Sequence, residues 1–177
     1  MGAATPFQIL QDIDQRCRRH AKGLPTGAQV EDDWVGIGFR LHGQRLVSRM
    51  SDIAEILSPP ETIRVPGVRD WVKGLANVRG NLMPILDMDL FFNSSDDGEP
   101  EEKRILVINK HSVVAGLLVQ EVFGLRRFKP ELQSLDVAAD MGPLEPYVEG
   151  AFFDNGTRWN IFSIEKLVDH EPFLKVV

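Results

Sequence analysis

The chain has 177 residues, is 43% hydrophobic and carries a formal net charge of −6. That is enough apolar material for one compact unit or two closely packed halves, and the acidic balance argues against a broad basic face for nucleic acid. Cys17 is the single cysteine, so no internal disulfide framework exists. No apolar run approaches the ~20 residues that cross a bilayer, and the opening MGAATPFQ lacks the basic-then-apolar order of a secretory leader. The expectation is an intracellular protein that neither binds nucleic acid nor inserts into a membrane.

Residues 5–22 read as a helix. Thr5 is a good N-cap, Pro6 suits the first helical position, and Gln8 completes a capping box. Leu10, Ile13, Cys17 and Ala21 make one apolar stripe, and Gly23 and Pro25 end it. Residues 24–33 are a mostly polar linker, so 1–33 form an N-terminal helix-plus-linker segment, either docked on the body or offered to a partner. From Trp34 the period changes to two. Val35, Ile37, Phe39 and Leu41 alternate with small or charged residues, and His42-Gly43 turns the chain into a second strand. Ser51-Asp52 can cap one helical turn before a strand containing Glu55. Residues 73–78 and 82–86 form another hairpin around Arg79-Gly80, and Asp87 caps a short helix through Phe92. The stretch NSSDDGEPEE at 93–102 reads as a solvated seam between halves. Beyond it, 104–109, 113–119, 124–128, 147–153 and 158–162 read as strands, residues 164–168 as a short closing helix, and 171–177 as a tail. Many short strands with few helices indicate a mainly β fold of small barrels, rather than a parallel sheet, over residues 34–170.

An internal repeat supports two subdomains. Residues 74–90 and 150–166 match in layout: Gly74 falls on Gly150, Gly80 on Gly156, Ile85-Leu86 on Ile161-Phe162, and the cap Asp87 on Ser163. More loosely, 37–56 echoes 108–125.

Catalytic and cofactor spacings are missing. His20, His42, His111 and His170 have no metal-ligand spacing. Gly36-Ile-Gly38 starts like a dinucleotide loop, but Leu41 stands where the third glycine belongs. Asp87 and Asp89 are better explained as a helix cap and its neighbour than as paired acids. The reading is therefore a non-enzyme without cofactor or metal. Two features exceed ordinary folding needs. Arg79, in a tight turn between apolar strands, calls for a carboxylate, and Glu55 is a plausible partner. Trp71, Val72, Phe91, Phe92, Phe152, Phe153 and Phe162 are too many large apolar groups for small barrels to bury, which leaves apolar surface for docking a protein.

The run VPGVRDWVKGLANVRGNLMPILDM at 65–88 resembles the signature of CheW-like domains: a Pro-Gly turn, an apolar pair, Lys-Gly, then Asn-Val-Arg-Gly and Pro-Ile-Leu-Asp. VVAGLLVQEV at 113–122 is similar to the family's second-half hairpin, with Gln120 where the family more often has Asp. Residues 5–25 resemble the N-terminal extension of PilI-type members, which serve chemosensory systems governing type IV pili and twitching motility. The resemblance implies a cytoplasmic adaptor, recruited to membrane-bound receptor arrays, that couples the tip of a chemoreceptor to the CheW-like regulatory domain of a CheA-type histidine kinase. It also implies two small five-stranded β-barrel subdomains, a receptor-facing groove at Ile53, Gly74, Ile105, Gly116 and Leu125, and a Glu55–Arg79 ion pair. The rival reading is a small-molecule-binding β-barrel or an unrecognised enzyme. A barrel of about five strands is normally filled by its own side chains, which weighs against a ligand cavity.

Overall fold

The structure is a computed structural model describing residues 33–93 and 102–176, together with Phe7, Leu10, Ile13, Gln15 and Arg16. The chain divides into two compact units, Met1–Glu31 and Asp32–Val177. In the first, the five described residues are helical, and Phe7, Leu10 and Ile13 are exposed. The predicted cap at Thr5 and the stripe positions Cys17 and Ala21 lie outside the described residues.

Among its described residues the second unit has eleven strands: β1 (Trp34–Leu41), β2 (Gln44–Arg49), β3 (Ile53–Leu57), β4 (Val72–Val78), β5 (Asn81–Asp87), β6 (Arg104–Lys110), β7 (Val113–Val119), β8 (Glu121–Phe128), β9 (Gln133–Ser134), β10 (Val148–Asp154) and β11 (Thr157–Phe162). Short helices α1 (Met88–Phe91), α2 (Ile164–Val168) and α3 (Glu171–Leu174) close the hairpins and the C-terminal end. Four hairpins share one turn chemistry. His42-Gly43, Arg79-Gly80, His111-Ser112 and Asn155-Gly156 all have positive φ, the two-residue loop whose twist matches that of the flanking strands.

The strands form two mixed sheets, ordered β8-β1-β2-β11-β10-β9 and β3-β6-β7-β5-β4. The mainly β, two-subdomain expectation holds at the level of fold class. The barrels do not: each order has two free ends, and one sheet has six strands. Nor does the segment 93–102 separate the sheets, because β3–β5 before it pair with β6 and β7 after it. The physical reason is an exchange. Each repeat is a hairpin, a third strand, a second hairpin and a helix, and the third strand crosses to the other sheet. β3 follows β2 but pairs with β6, and β8 follows β7 but pairs with β1. The crossings are short, three residues at Met50–Asp52 and Gln120 alone between β7 and β8. Gln120 is buried, and its side-chain oxygen accepts the Gly43 N–H at 3.1 Å, tying that crossing to the β1–β2 turn.

The duplicated hairpins take the same backbone. Gly74 and Gly150 have φ +141° and +142°, and each approaches a passing carbonyl, of Ile63 and of Ser134. Asp87 and Ser163 each cap their helix by accepting an N–H three residues on. β5 runs parallel to β7, as β11 does to β2.

Three apolar clusters follow from this plan. Ala76, Met83, Ile85, Ile105, Val107 and Leu118 fill the five-stranded sheet. Val47, Phe128, Phe152, Trp159 and Ile161 fill the six-stranded one. The largest lies between them, where Phe39, Leu46, Leu106, Ile108, Leu117, Met141 and Phe162 meet. Residues 171–176 are not a free tail. Phe173 is buried, stacked 6.0 Å from Trp71 and edge-on to Phe91, and the Val176 carbonyl accepts the Arg69 N–H at 3.0 Å. The run EPFLKVV is too short for a helical period to show in it.

Candidate partner-binding surface

Glu55 and Arg79 come together. The Arg79-Gly80 turn is held by Asn77, whose side-chain oxygen accepts the Gly80 N–H at 2.8 Å, and it projects Arg79 toward β3. Arg79 Nη2 lies 2.5 Å from Glu55 Oε1, with the arginine side chain 78% exposed and the glutamate 23%. The pair thus links β3, one edge of the five-stranded sheet, to the turn that follows β4, the other edge, and no ladder joins those two strands. At that exposure its contribution to stability is small, about 0–1 kcal/mol.

The five residues expected to line a groove divide. Leu125, on edge strand β8, is 48% exposed, and Ile53 at the start of β3 is half-buried against the central cluster. Ile105 is 0% exposed and belongs to the core of its own sheet. Gly116 is buried beside it: a Cβ there would stand 2.7 Å from both Ile105 and Ile85. Gly74 is buried under the Ile63 carbonyl. Ile105, Gly116 and Gly74 are thus buried within the packing of this chain, and Ile53 and Leu125 are the members of the set that present side-chain surface. The reason is visible in β6, whose residues 105–108 are all buried. A strand covered on both faces carries no alternation to say which side chain looks outward.

Of the large apolar residues expected at the surface, Phe92, Phe152 and Phe162 are core. Trp71, Val72 and Phe91 are half-buried and Phe153 is exposed. Trp71, Leu90 and Phe91 floor an open cleft of about 620 Å³ rimmed by Arg69 and Lys175. Only the three-dimensional meeting of 69–71, α1 and α3 reveals it.

A polar network fastens the β6–β7 hairpin to its surroundings. Lys110 donates to Asp52 at 3.0 Å and lies 3.7 Å from Glu165, while His111 Nδ1 is 3.1 Å from Asp169. The Asp52 carboxylate, by hydrogen bond and charge, holds the Lys110 ammonium above its ordinary pKa. Burial pushes the Tyr147 phenol up. His111, Glu165 and Asp169 converge but are all exposed, and the His111–Asp169 hydrogen bond and the Lys110–Glu165 contact account for them.

With this geometry in view, residues 35–172 match the family model described as the CheW-like domain. The chain belongs to the CheW-like family. It is 42% identical over 172 residues to Protein PilI of Pseudomonas aeruginosa, covering 97% of this chain and 96% of that one. It is 28% identical to the chemotaxis protein CheW of Helicobacter pylori over 68% of this chain and 72% of that one. In fold this CheW-like unit is similar to the scaffolding protein TtCheW of Thermoanaerobacter tengcongensis, with TM-score 0.67 and 19% identity over 79% of this chain and 95% of that one. The similarity to Protein PilI runs through the N-terminal residues as well as the domain, in keeping with the PilI-type resemblance of 5–25.

Proposed function

We propose that this protein is a non-catalytic adaptor of a chemosensory pathway controlling type IV pili and twitching motility. It couples the cytoplasmic tip of a chemoreceptor to the CheW-like regulatory domain of a CheA-type histidine kinase. The observation that carries the reading is the 42% identity to Protein PilI across nearly the whole of both chains. The fold suits the role. Two sheets packed through one continuous apolar cluster make a single body on which two partners can be held at fixed separation. The adaptor acts on the cytoplasmic side of the membrane, and no helix among the described residues is long and apolar enough to cross one.

The receptor site is placed on the accessible members of the groove, Ile53 and Leu125, with the Glu55–Arg79 pair fixing the edge beside β3. A receptor tip is a helical hairpin whose apolar knobs suit such a surface. Each contact should be small, below ~1,200 Å² in total, because array components must rearrange. Placing an acid there desolvates a charge without a partner. Leu125→Asp should therefore weaken receptor-tip binding more than tenfold in titration calorimetry while kinase-domain binding and the unfolding midpoint stay unchanged. Unchanged receptor affinity in both Leu125→Asp and Ile53→Asp would move the receptor site elsewhere.

A further inference from the structure

The glycines that failed as a nucleotide loop seat a pair of indole rings. A Cβ at Gly36 would lie 2.4 Å from the ring of Trp34, and one at Gly38 would lie 2.8 Å from the ring of Trp159 and 3.2 Å from Cγ of Arg126. Gly38 thus lets Trp159 and Arg126 lie flat on β1. Arg126 stacks on Trp159 at 4.7 Å, Phe123 meets Trp159 edge-on at 5.4 Å, and Arg45 stands over Phe123 at 5.8 Å. Two arginines, each backed by an aromatic ring, face one open cleft of about 250 Å³.

Neither guanidinium is ion-paired among the described residues, which is unusual in a chain of net charge −6. Glu102 and Glu121 hold Arg40 at 3.0 and 2.8 Å. Asp154 lines the cleft, but its carboxylate accepts from Asn155 at 3.0 Å. Arg126 Nε is buried without an acceptor, so much of the cost of desolvating this cation is already met by the fold. A stacked, partly dehydrated guanidinium gains more from an anion than a solvated one does.

We propose that Arg45 and Arg126 form a carboxylate-binding site that receives an acidic side chain of a protein partner. A cleft this small and open cannot enclose a metabolite, which wants roughly 300–1,000 Å³ and most of its surface covered. An anionic lipid surface or nucleic acid needs a broad basic face, and two arginines in one small cleft do not make one. A planar carboxylate presented on a partner's surface matches the forked guanidinium, and Thr157 beside it supplies a hydroxyl.

The test follows the arginine Nε–Hε NMR signals of the full chain. The titrants are a capped alanine pentapeptide carrying two glutamates, its glutamine counterpart, inorganic phosphate, and sodium chloride at matched ionic strength. A saturable shift of Arg126 and Arg45 with the glutamate peptide alone is expected. Its affinity should fall at least tenfold in Arg126→Gln and in the more exposed Arg45→Gln, and recover only in part in Arg126→Lys, which keeps the charge but not the fork. Equal response to the glutamine peptide, a response that merely tracks salt, tighter saturation by phosphate, or undiminished affinity in Arg45→Gln would each overturn the assignment.

Discussion

Replacing Gly74 by alanine probes the repeat where it is most constrained. The new Cβ would fall 2.3 Å from the Ile63 carbonyl oxygen, against ordinary contact at 3.4 Å or more. The obstacle is backbone, so relief requires the Ile63 strand to move by about an ångström. That movement breaks the paired bonds Ile63 N–H to Leu75 O at 2.8 Å and Leu75 N–H to Ile63 O at 2.9 Å, each worth about 1 kcal/mol net. A φ of +141° adds about 1–3 kcal/mol for any residue with a Cβ. The sum is about 3–5 kcal/mol, a large part of the 5–15 kcal/mol typical of a domain. Gly150→Ala should cost the same, since its Cβ meets the Ser134 carbonyl at 2.3 Å. Gly80→Ala is the control: φ is +88° but nothing lies within 4 Å, so only about 1 kcal/mol should be lost. Urea unfolding of the three variants, with m-values checked for constancy, separates them. If Gly74→Ala loses no more than Gly80→Ala, the close-approach argument fails. Gly74→Arg, by the same reasoning, would disrupt the fold rather than block a partner selectively.

Other outcomes follow from the same geometry. Arg79→Ala should lower stability by less than about 1 kcal/mol in urea melts, because the arginine is 78% exposed; a loss above 2 kcal/mol would mean the pair clamps the sheet edge. Ser112, at φ +67° in the β6–β7 turn, holds a conformation costly for a residue with a Cβ, so Ser112→Gly should stabilise by about 0.5 kcal/mol. Stability should also decline at high pH. The folded pKa of Lys110 is raised above its ordinary 10.5, so the stabilisation from Asp52 is complete below pH 10.5 and lost as pH rises through the folded value. The folded pKa of Tyr147 is raised above 10.0, so above pH 10 the unfolded chain loses its phenolic proton first, with the same sign. Lys110→Met and Tyr147→Phe should each flatten the alkaline limb of a stability profile, and an unchanged limb in both would refute the assignment.

Local chemistry was legible in the sequence because it needs only neighbouring residues. The His42-Gly43 and Arg79-Gly80 turns, the caps Asp87 and Ser163, and the closing helix Ile164–Val168 all appear where turn and capping residues stand. Long-range pairing was not. β3 and β8 each follow a hairpin directly, and nothing local says that they leave it for the other sheet. Face assignment failed for a related reason. β6 is buried on both sides, and register shifts between Ile53 and Glu55 and between Val72 and Gly74 interrupt the period-two count. Ile105 and Gly116 entered the groove through the family resemblance, and in this structure both are buried. The Arg45–Arg126 cleft was hidden because its parts come from β2, β8 and β11 and meet only on the folded sheet.

The central claim is that one folded unit holds receptor and kinase together. Sedimentation velocity of the full chain mixed with a trimeric receptor-tip fragment and the kinase's CheW-like regulatory domain tests this most directly. The account predicts a boundary containing all three components, faster than either binary mixture. A chain that sediments with only one partner, or that releases one on binding the other, would contradict it.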